Sequence, residues 1–211
     1  MPKYENYRYI YPCRPKNSIP DSELDFWDNN SLIAQPKING SNCVIFTNGQ
    51  RFIVMNRHNQ RLTNFQINEF ELKDLYRGSG WLILNGEYLN KSKSDETGNS
   101  FNHKFVIFDI LCFNGEYLLG KTFEERIQLL DKLYGKRTSE KDYLFGISEN
   151  VYRVKSYETG FKFLYDVLTP IDMIEGLVLK RKNAKLEIGS TENNNTKSQL
   201  KARKPTKLYK F

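Results

Sequence analysis

Hydrophobic positions along this chain switch between two periods. Cys43-Val-Ile-Phe-Thr47 and Arg51-Phe-Ile-Val-Met55 are β-prone runs separated by Asn48-Gly49, a pair suited to a tight hairpin turn. Trp81–Leu84, continuing through Tyr88, and Lys104–Phe113 read as further strands, and a second Asn-Gly turn follows at Asn114-Gly115. Asn85-Gly86 admits two readings, a hairpin turn or the middle of a strand. The period then lengthens. Thr122 and Glu125 form a capping box, Ile127, Leu130, Leu133 and Tyr134 recur at helical spacing, and Gly135 ends the helix. A second helix is predicted from about Glu158 to Leu168, with Phe161, Leu164, Tyr165 and Leu168 on one face and Pro170 as the stop. Strands return at Gly176–Lys180, Leu186–Ile188 and Gln199–Arg203, with a polar loop at Asn193-Asn194-Asn195 between the last two.

The first 30 residues follow neither period. Pro12, Pro15 and Pro20 predict an irregular arm with one helical turn near Ser22–Trp27. A strand is expected to end near Gln35 and the next to begin near Cys43, which leaves Lys37 projecting from the turn between them. Strands and helices are segregated rather than alternating. This predicts an α+β fold of antiparallel sheets flanked by helices and argues against a parallel doubly wound sheet.

Composition narrows the partners. The formal net charge of +7 favours anionic ligands such as nucleotide or nucleic acid. Cys13, Cys43 and Cys112 show no metal-like spacing, and Cys43 and Cys112 sit beside apolar runs, as reduced buried thiols do. His58 and His103 are too few and too far apart to mark a zinc site. The chain has no apolar run of the roughly 18–20 residues that span a bilayer. The N-terminus has no apolar signal-peptide core. The expectation is a soluble intracellular protein with no membrane partner.

The candidate chemistry starts at Lys37, in Gln35-Pro-Lys-Ile-Asn-Gly40. A lysine attacks phosphorus only when neutral, and nearby cations, a metal ion or desolvation favour that state. Lys-x-x-Gly alone is common by chance. Further segments follow it in order: Arg57 after the hairpin, Gly86-Glu87-Tyr88, Phe108-Asp109-Ile110-Leu111, Glu175-Gly-Leu-Val-Leu-Lys180, and Leu200-Lys201-Ala-Arg203-Lys204. Together these resemble nucleotidyltransferase motifs I, Ia, III, IIIa, IV and V of the covalent nucleotidyltransferase superfamily, which contains ATP-dependent DNA ligases, RNA ligases and mRNA capping enzymes.

The resemblance implies a nucleotidyltransferase (ATP-grasp-like ligase adenylation) domain over residues 1–211, without a C-terminal OB-fold domain. Lys37 would be the nucleophile toward ATP. Gln35, Arg57, Glu87, Phe108, Glu175, Lys180, Lys201 and Arg203 would bind the nucleotide, with Phe108 stacked on the base. Glu87 and Glu175 would also serve a divalent metal, Mg2+ or Mn2+. Glu175 and Lys180 are five residues apart, on opposite faces of an ideal strand. A strand twist or a bulge would bring them to one site. The basic Lys204, Lys207 and Lys210 are candidate contacts to nicked or broken RNA or DNA. Lys37-x-x-Gly40-Ser41-Asn42 is similar to the RNA-ligase branch, so an RNA ligase is the first expectation. A compact DNA ligase is second, on Pro36, a feature of small viral DNA ligases. A GTP-dependent capping guanylyltransferase is third, and a non-catalytic nucleic-acid-binding module of the same fold is the reading from another class. Two residues depart from the DNA-ligase pattern: Asn39 where an Asp is usual, and Leu200 where a Trp is frequent.

Overall fold

The computed structural model describes residues 9–91, 93–135 and 141–205. β1 (Arg14–Ser18) leads through a 3₁₀ turn at Asp21–Glu23 into the short α1 (Leu24–Trp27). β2 (Leu32–Ile38), β3 (Ser41–Thr47) and β4 (Phe52–Asn56) follow. α2 (Glu69–Leu75) precedes β5 (Leu82–Leu89), β6 (Lys104–Phe113) and β7 (Glu116–Tyr117). After α3 (Phe123–Leu133) come β8 (Leu144–Gly146), β9 (Val151–Val154), α4 (Phe161–Leu168), β10 (Ile174–Arg181) and β11 (Asn195–Arg203).

Two sheets result. The first has the order β1-β11-β10-β2; the second runs β4-β3-β5-β6-β9-β8, with β7 paired to β6. The pairs are antiparallel except for β1/β11 and β6/β9, which are parallel. The α+β class is as expected, and the sheets are mixed rather than wholly antiparallel. One core cluster packs the first sheet's Leu177 and Leu179 against Leu24 of α1 and Phe161, Leu164 and Leu168 of α4. Another packs Leu84 and Ile107 of the second sheet against Leu72 of α2 and Ile127 and Leu130 of α3.

Local chemistry explains most boundaries. Asn48 Oδ1 accepts from the backbone N–H groups of Gln50 and Arg51, closing the β3–β4 hairpin. The capping box starts α3: Thr122 Oγ1 accepts from Glu125 N and Glu125 Oε2 from Thr122 N. α4 begins at Phe161 rather than Glu158, because Gly160 adopts φ 75°, outside the helical region, and Asp28 Oδ2 accepts from Gly160 N at 2.6 Å. Asn85-Gly86 lies inside β5, which resolves the turn-or-strand ambiguity in favour of the strand.

Three expectations are corrected. The N-terminal arm is not wholly irregular: Arg14–Ser18 joins the edge of the first sheet beside β11, where Pro15 is tolerated and a register shift follows it. Lys37 is not in a turn, because β2 continues to Ile38, paired with β10, and the turn is Asn39-Gly40. Leu186–Ile188 is not a strand; Leu186 makes one isolated bridge to Leu119 and Lys185 one to Thr122. Among the described residues no helix is long and apolar enough to cross a membrane.

Candidate active site

The facing sides of the two sheets enclose a cavity of about 510 Å3, within the range of small-ligand sites. Strand alternation populates its wall. From β2 come Gln35 and Lys37; from β11 come Gln199, Lys201 and Arg203, each set spaced by two. β10 contributes Glu175, Val178 and Lys180. Val178 and Lys180 share a face, and Glu175 joins them through a bulge. The β10–β2 register slips between Ile174 and Gly176, so a bulge brings Glu175 and Lys180 to one cavity. Gly176 makes the bulge possible. Its φ is +144°, and a Cβ there would lie 1.9 Å from the carbonyl oxygen of Ala202. Opposite, the second sheet supplies Asn42, Glu87 and Phe108, and Arg57 and His58 follow β4.

Lys37 and Glu175 meet at the centre. Lys37 Nζ lies 2.6 Å from Glu175 Oε2, and Arg203 Nε lies 3.3 Å from the same oxygen. The Asn39 side chain, with its amide nitrogen toward Glu175, donates to Oε1 at 3.0 Å and accepts from Lys93 Nζ at 3.1 Å. Glu87 approaches from β5. Burial raises its carboxyl to about 7, Lys37 works against that shift and Glu175 adds to it, and the Gly40 backbone N–H bonds to it. Gly40 has no room for a side chain: a Cβ would sit 2.6 Å from Tyr88 O and 3.0 Å from Glu87 Cγ.

Lys180 is only 5% exposed, yet its Nζ lies 4.8 Å from the Phe108 ring centroid and 4.6 Å from that of Phe123. Two aromatic faces hold the ammonium. Burial lowers its pKa to about 8, partly offset by Asp109. Asp109 is committed elsewhere, in a buried two-pronged pair with Arg126 Nε at 2.8 Å and Nη2 at 3.0 Å. Burial lowers the Lys201 pKa as well, and the neighbouring Arg203, Lys37 and Arg14 add to it. Gln35 is 1% exposed. Its Nε2 donates to Phe108 O and Ser156 Oγ, while its buried Oε1 has no partner.

All nine residues expected to handle the nucleotide line this cavity: Gln35, Lys37, Arg57, Glu87, Phe108, Glu175, Lys180, Lys201 and Arg203. Lys204 does not line it. Its Nζ donates to Thr169 O and Ile171 O beyond the end of α4. Lys207 and Lys210 lie outside the described residues. Sequence reasoning missed Arg14, which reaches the cavity from β1, and His58, whose Nδ1 pairs with Glu192 at the cavity's edge. It also missed Gln199, which the period-two spacing with Lys201 and Arg203 could have disclosed.

Residues 83–199, more than half of the chain, match the family model described as the ATP-dependent DNA ligase domain. The chain belongs to that family. Comparison with curated proteins gives no match. Among solved structures, a mycobacterial DNA ligase D complexed with ATP and MES superposes with a TM-score of 0.65 at 14% identity, covering 92% of this chain and 60% of that one. The ATP-dependent DNA ligase of bacteriophage T7 in complex with ATP gives 0.55 at 14%, covering 92% and 68%. The Chlorella virus DNA ligase-adenylate gives 0.50 at 16%, covering 90% and 67%. The chain thus spans about 60% of the length of the mycobacterial structure. In this ligase-family fold the family match begins in β5 and ends in β11, and β2, which carries Lys37, precedes it.

Proposed function

We propose that the chain is the nucleotidyltransferase domain of an ATP-dependent polynucleotide ligase and that Lys37 carries AMP as a lysyl adenylate. One observation supports this most. Lys37 is ion-paired to Glu175 in a cavity that also gathers Arg14, Arg57, Lys180, Lys201 and Arg203. Transfer of a nucleotidyl group depends on positioning and charge neutralisation more than on covalent assistance, and this wall supplies both.

Lys37 Nζ attacks the α-phosphorus of ATP; the N–P bond forms and the P–O bond to pyrophosphate breaks. Glu175, already at 2.6 Å, is placed to accept the ammonium proton. Lys180, Lys201 and Arg203 balance charge on the phosphate oxygens. AMP then passes to a 5′-phosphate end, and a 3′-hydroxyl attacks that phosphorus and expels AMP.

Phe108 stacks on the base. Gln35 supports adenine over guanine: its unpartnered buried oxygen needs a donor, adenine presents an exocyclic amino group, and guanine carries an oxygen at the equivalent ring position.

Among the described residues no group of three or more His, Cys, Asp or Glu could hold a metal. Of the carboxylates that line the cavity, Glu175 and Glu87 suit a magnesium or manganese ion held jointly with phosphate oxygens and water. Such an ion, when bound, offsets phosphate charge.

For the strand to be sealed, nicked DNA is the reading favoured by the family match. RNA is a second reading, supported by Lys37-x-x-Gly40-Ser41-Asn42 and by Asn39 in place of Asp. Incubation with α-labelled ATP or GTP and Mg2+ or Mn2+, followed by denaturation, tests the nucleotide. Label from ATP alone is expected, and Gln35→Leu should lower it about 10-fold or more. Label from GTP alone would make the protein a capping-type enzyme, and none would leave a binding module. Sealing of matched nicked DNA and RNA duplexes then separates the two strand readings.

A further inference from the structure

We infer that Asn39 is a positioning residue, a neutral adaptor that fixes the Glu175 carboxylate against Lys37. The inference rests on the proposed role of Lys37 and Glu175.

The Glu175 carboxylate is engaged on both oxygens. Oε2 accepts from Lys37 Nζ at 2.6 Å and forms an ion pair with Arg203 Nε at 3.3 Å; Oε1 accepts from the Asn39 amide at 3.0 Å. Asn39 is held in turn. Its backbone N–H donates to Met173 O at 2.8 Å, and its side-chain oxygen accepts from Lys93 Nζ at 3.1 Å. Lys93 is anchored by Asp172 Oδ1 at 3.3 Å, and Asp172 Oδ2 accepts from Ser94 N at 3.2 Å. The chain of contacts Asp172–Lys93–Asn39–Glu175–Lys37 alternates acceptor and donor without a clash. Lys93 fixes which way the amide points, because only an oxygen can face an ammonium.

The Asn39 amide serves both neighbours. It offers an acceptor to Lys93 and a donor to Glu175. An aspartate in its place would keep the first contact and turn the second into two carboxylate oxygens about 3 Å apart with no proton between them. When Lys37 leaves Glu175 to form a bond with phosphorus, Asn39 and Arg203 are the contacts that keep the carboxylate in place.

The test is a double-mutant cycle with polarity reversed. In the pair Asn39→Asp and Glu175→Gln, the new amide donates to the new carboxylate, and the glutamine oxygen still accepts from Lys37. Asn39→Asp and Glu175→Gln should each lower Tm by about 4 °C, and the double variant should return to within about 2 °C of the wild type. Asn39→Asp should also slow lysyl-AMP formation at saturating ATP by about 10-fold or more, with KM for ATP within about threefold. Additive Tm losses in the double variant, or Asn39→Asp labelling at the wild-type rate, would overturn the inference. The Tm cycle needs no turnover. A recovered double variant beside an unlabelled wild type counts against the proposed function only, and additive losses beside a labelled wild type count against the adaptor only.

Discussion

Glu175 reaches Lys37 across two neighbouring strands of one sheet, Oε2 to Nζ at 2.6 Å, only because the β10 backbone slips by one position beside Gly176. Without that slip, alternation would turn Glu175 to the opposite face from Val178 and Lys180. Lys37, Glu175 and Lys180, the proposed nucleophile, its carboxylate partner and a proposed phosphate contact, are therefore set together by one backbone irregularity. It depends on a glycine whose position a side chain cannot share.

Gly176→Ala should consequently cost about 2–3 kcal/mol or more, since both the φ of +144° and the 1.9 Å approach to Ala202 O are denied to alanine. Chemical denaturation gives the loss. Adenylylation by whatever fraction folds should fall by about 100-fold as the pair separates. A variant of wild-type stability and rate would show that the bulge is dispensable.

Lys180 gives a pH-dependent expectation. Its folded pKa, lowered to about 8 by burial, lies below the unfolded value, so the folded state gives up a proton that the unfolded state keeps. The burden of burying the ammonium is full below pH 8 and fades as pH rises from there toward 10.5. Lys180→Met removes that burden. Its stability relative to the wild type should be greater at pH 7 than at pH 10, by about 2 kcal/mol, measured by urea unfolding without nucleotide. The same variant should lose ATP labelling. Equal stability differences at both pH values would mean that Lys180 keeps an ordinary ammonium.

Asp109 and Arg126 form a buried pair behind Phe108. Asp109→Asn leaves the guanidinium without its counter-charge and should destabilise the protein by about 3 kcal/mol, or roughly 6–12 °C in Tm. Arg126 also stacks on Phe123, with Cζ 5.6 Å from the ring centroid, and Phe123 is one face of the Lys180 cradle. Nucleotide affinity should weaken with stability, so titration calorimetry below Tm is the check. Unchanged affinity and Tm would mean that the pair is incidental.

Much of this was legible in the sequence because local rules decided it. Asn48-Gly49, the Thr122–Glu125 box and the period-two runs of β3, β5 and β6 fix their own conformations, and every charged residue assigned to the nucleotide, from Lys37 to Arg203, lines the cavity. What escaped depends on contacts distant in the chain. β1 exists because β11 offers an edge more than 180 residues later, which a proline-rich arm does not announce. Arg14, carried by β1, was hidden with it. The partners of Lys204, the Thr169 and Ile171 carbonyls, also escaped, because more than 30 residues separate them from it. The choice between twist and bulge at Glu175 turned on how closely β10 and β11 approach, which spacing alone does not encode.

The most direct test of the account is the site of the covalent adduct. The protein is incubated with ATP and a divalent metal, digested, and the adenylylated peptide is sequenced by mass spectrometry alongside a folded Lys37→Ala variant. The account requires one adenylyl group on Lys37 and none on the variant. An adduct on another lysine, or undiminished adduct in a folded Lys37→Ala protein, would contradict it.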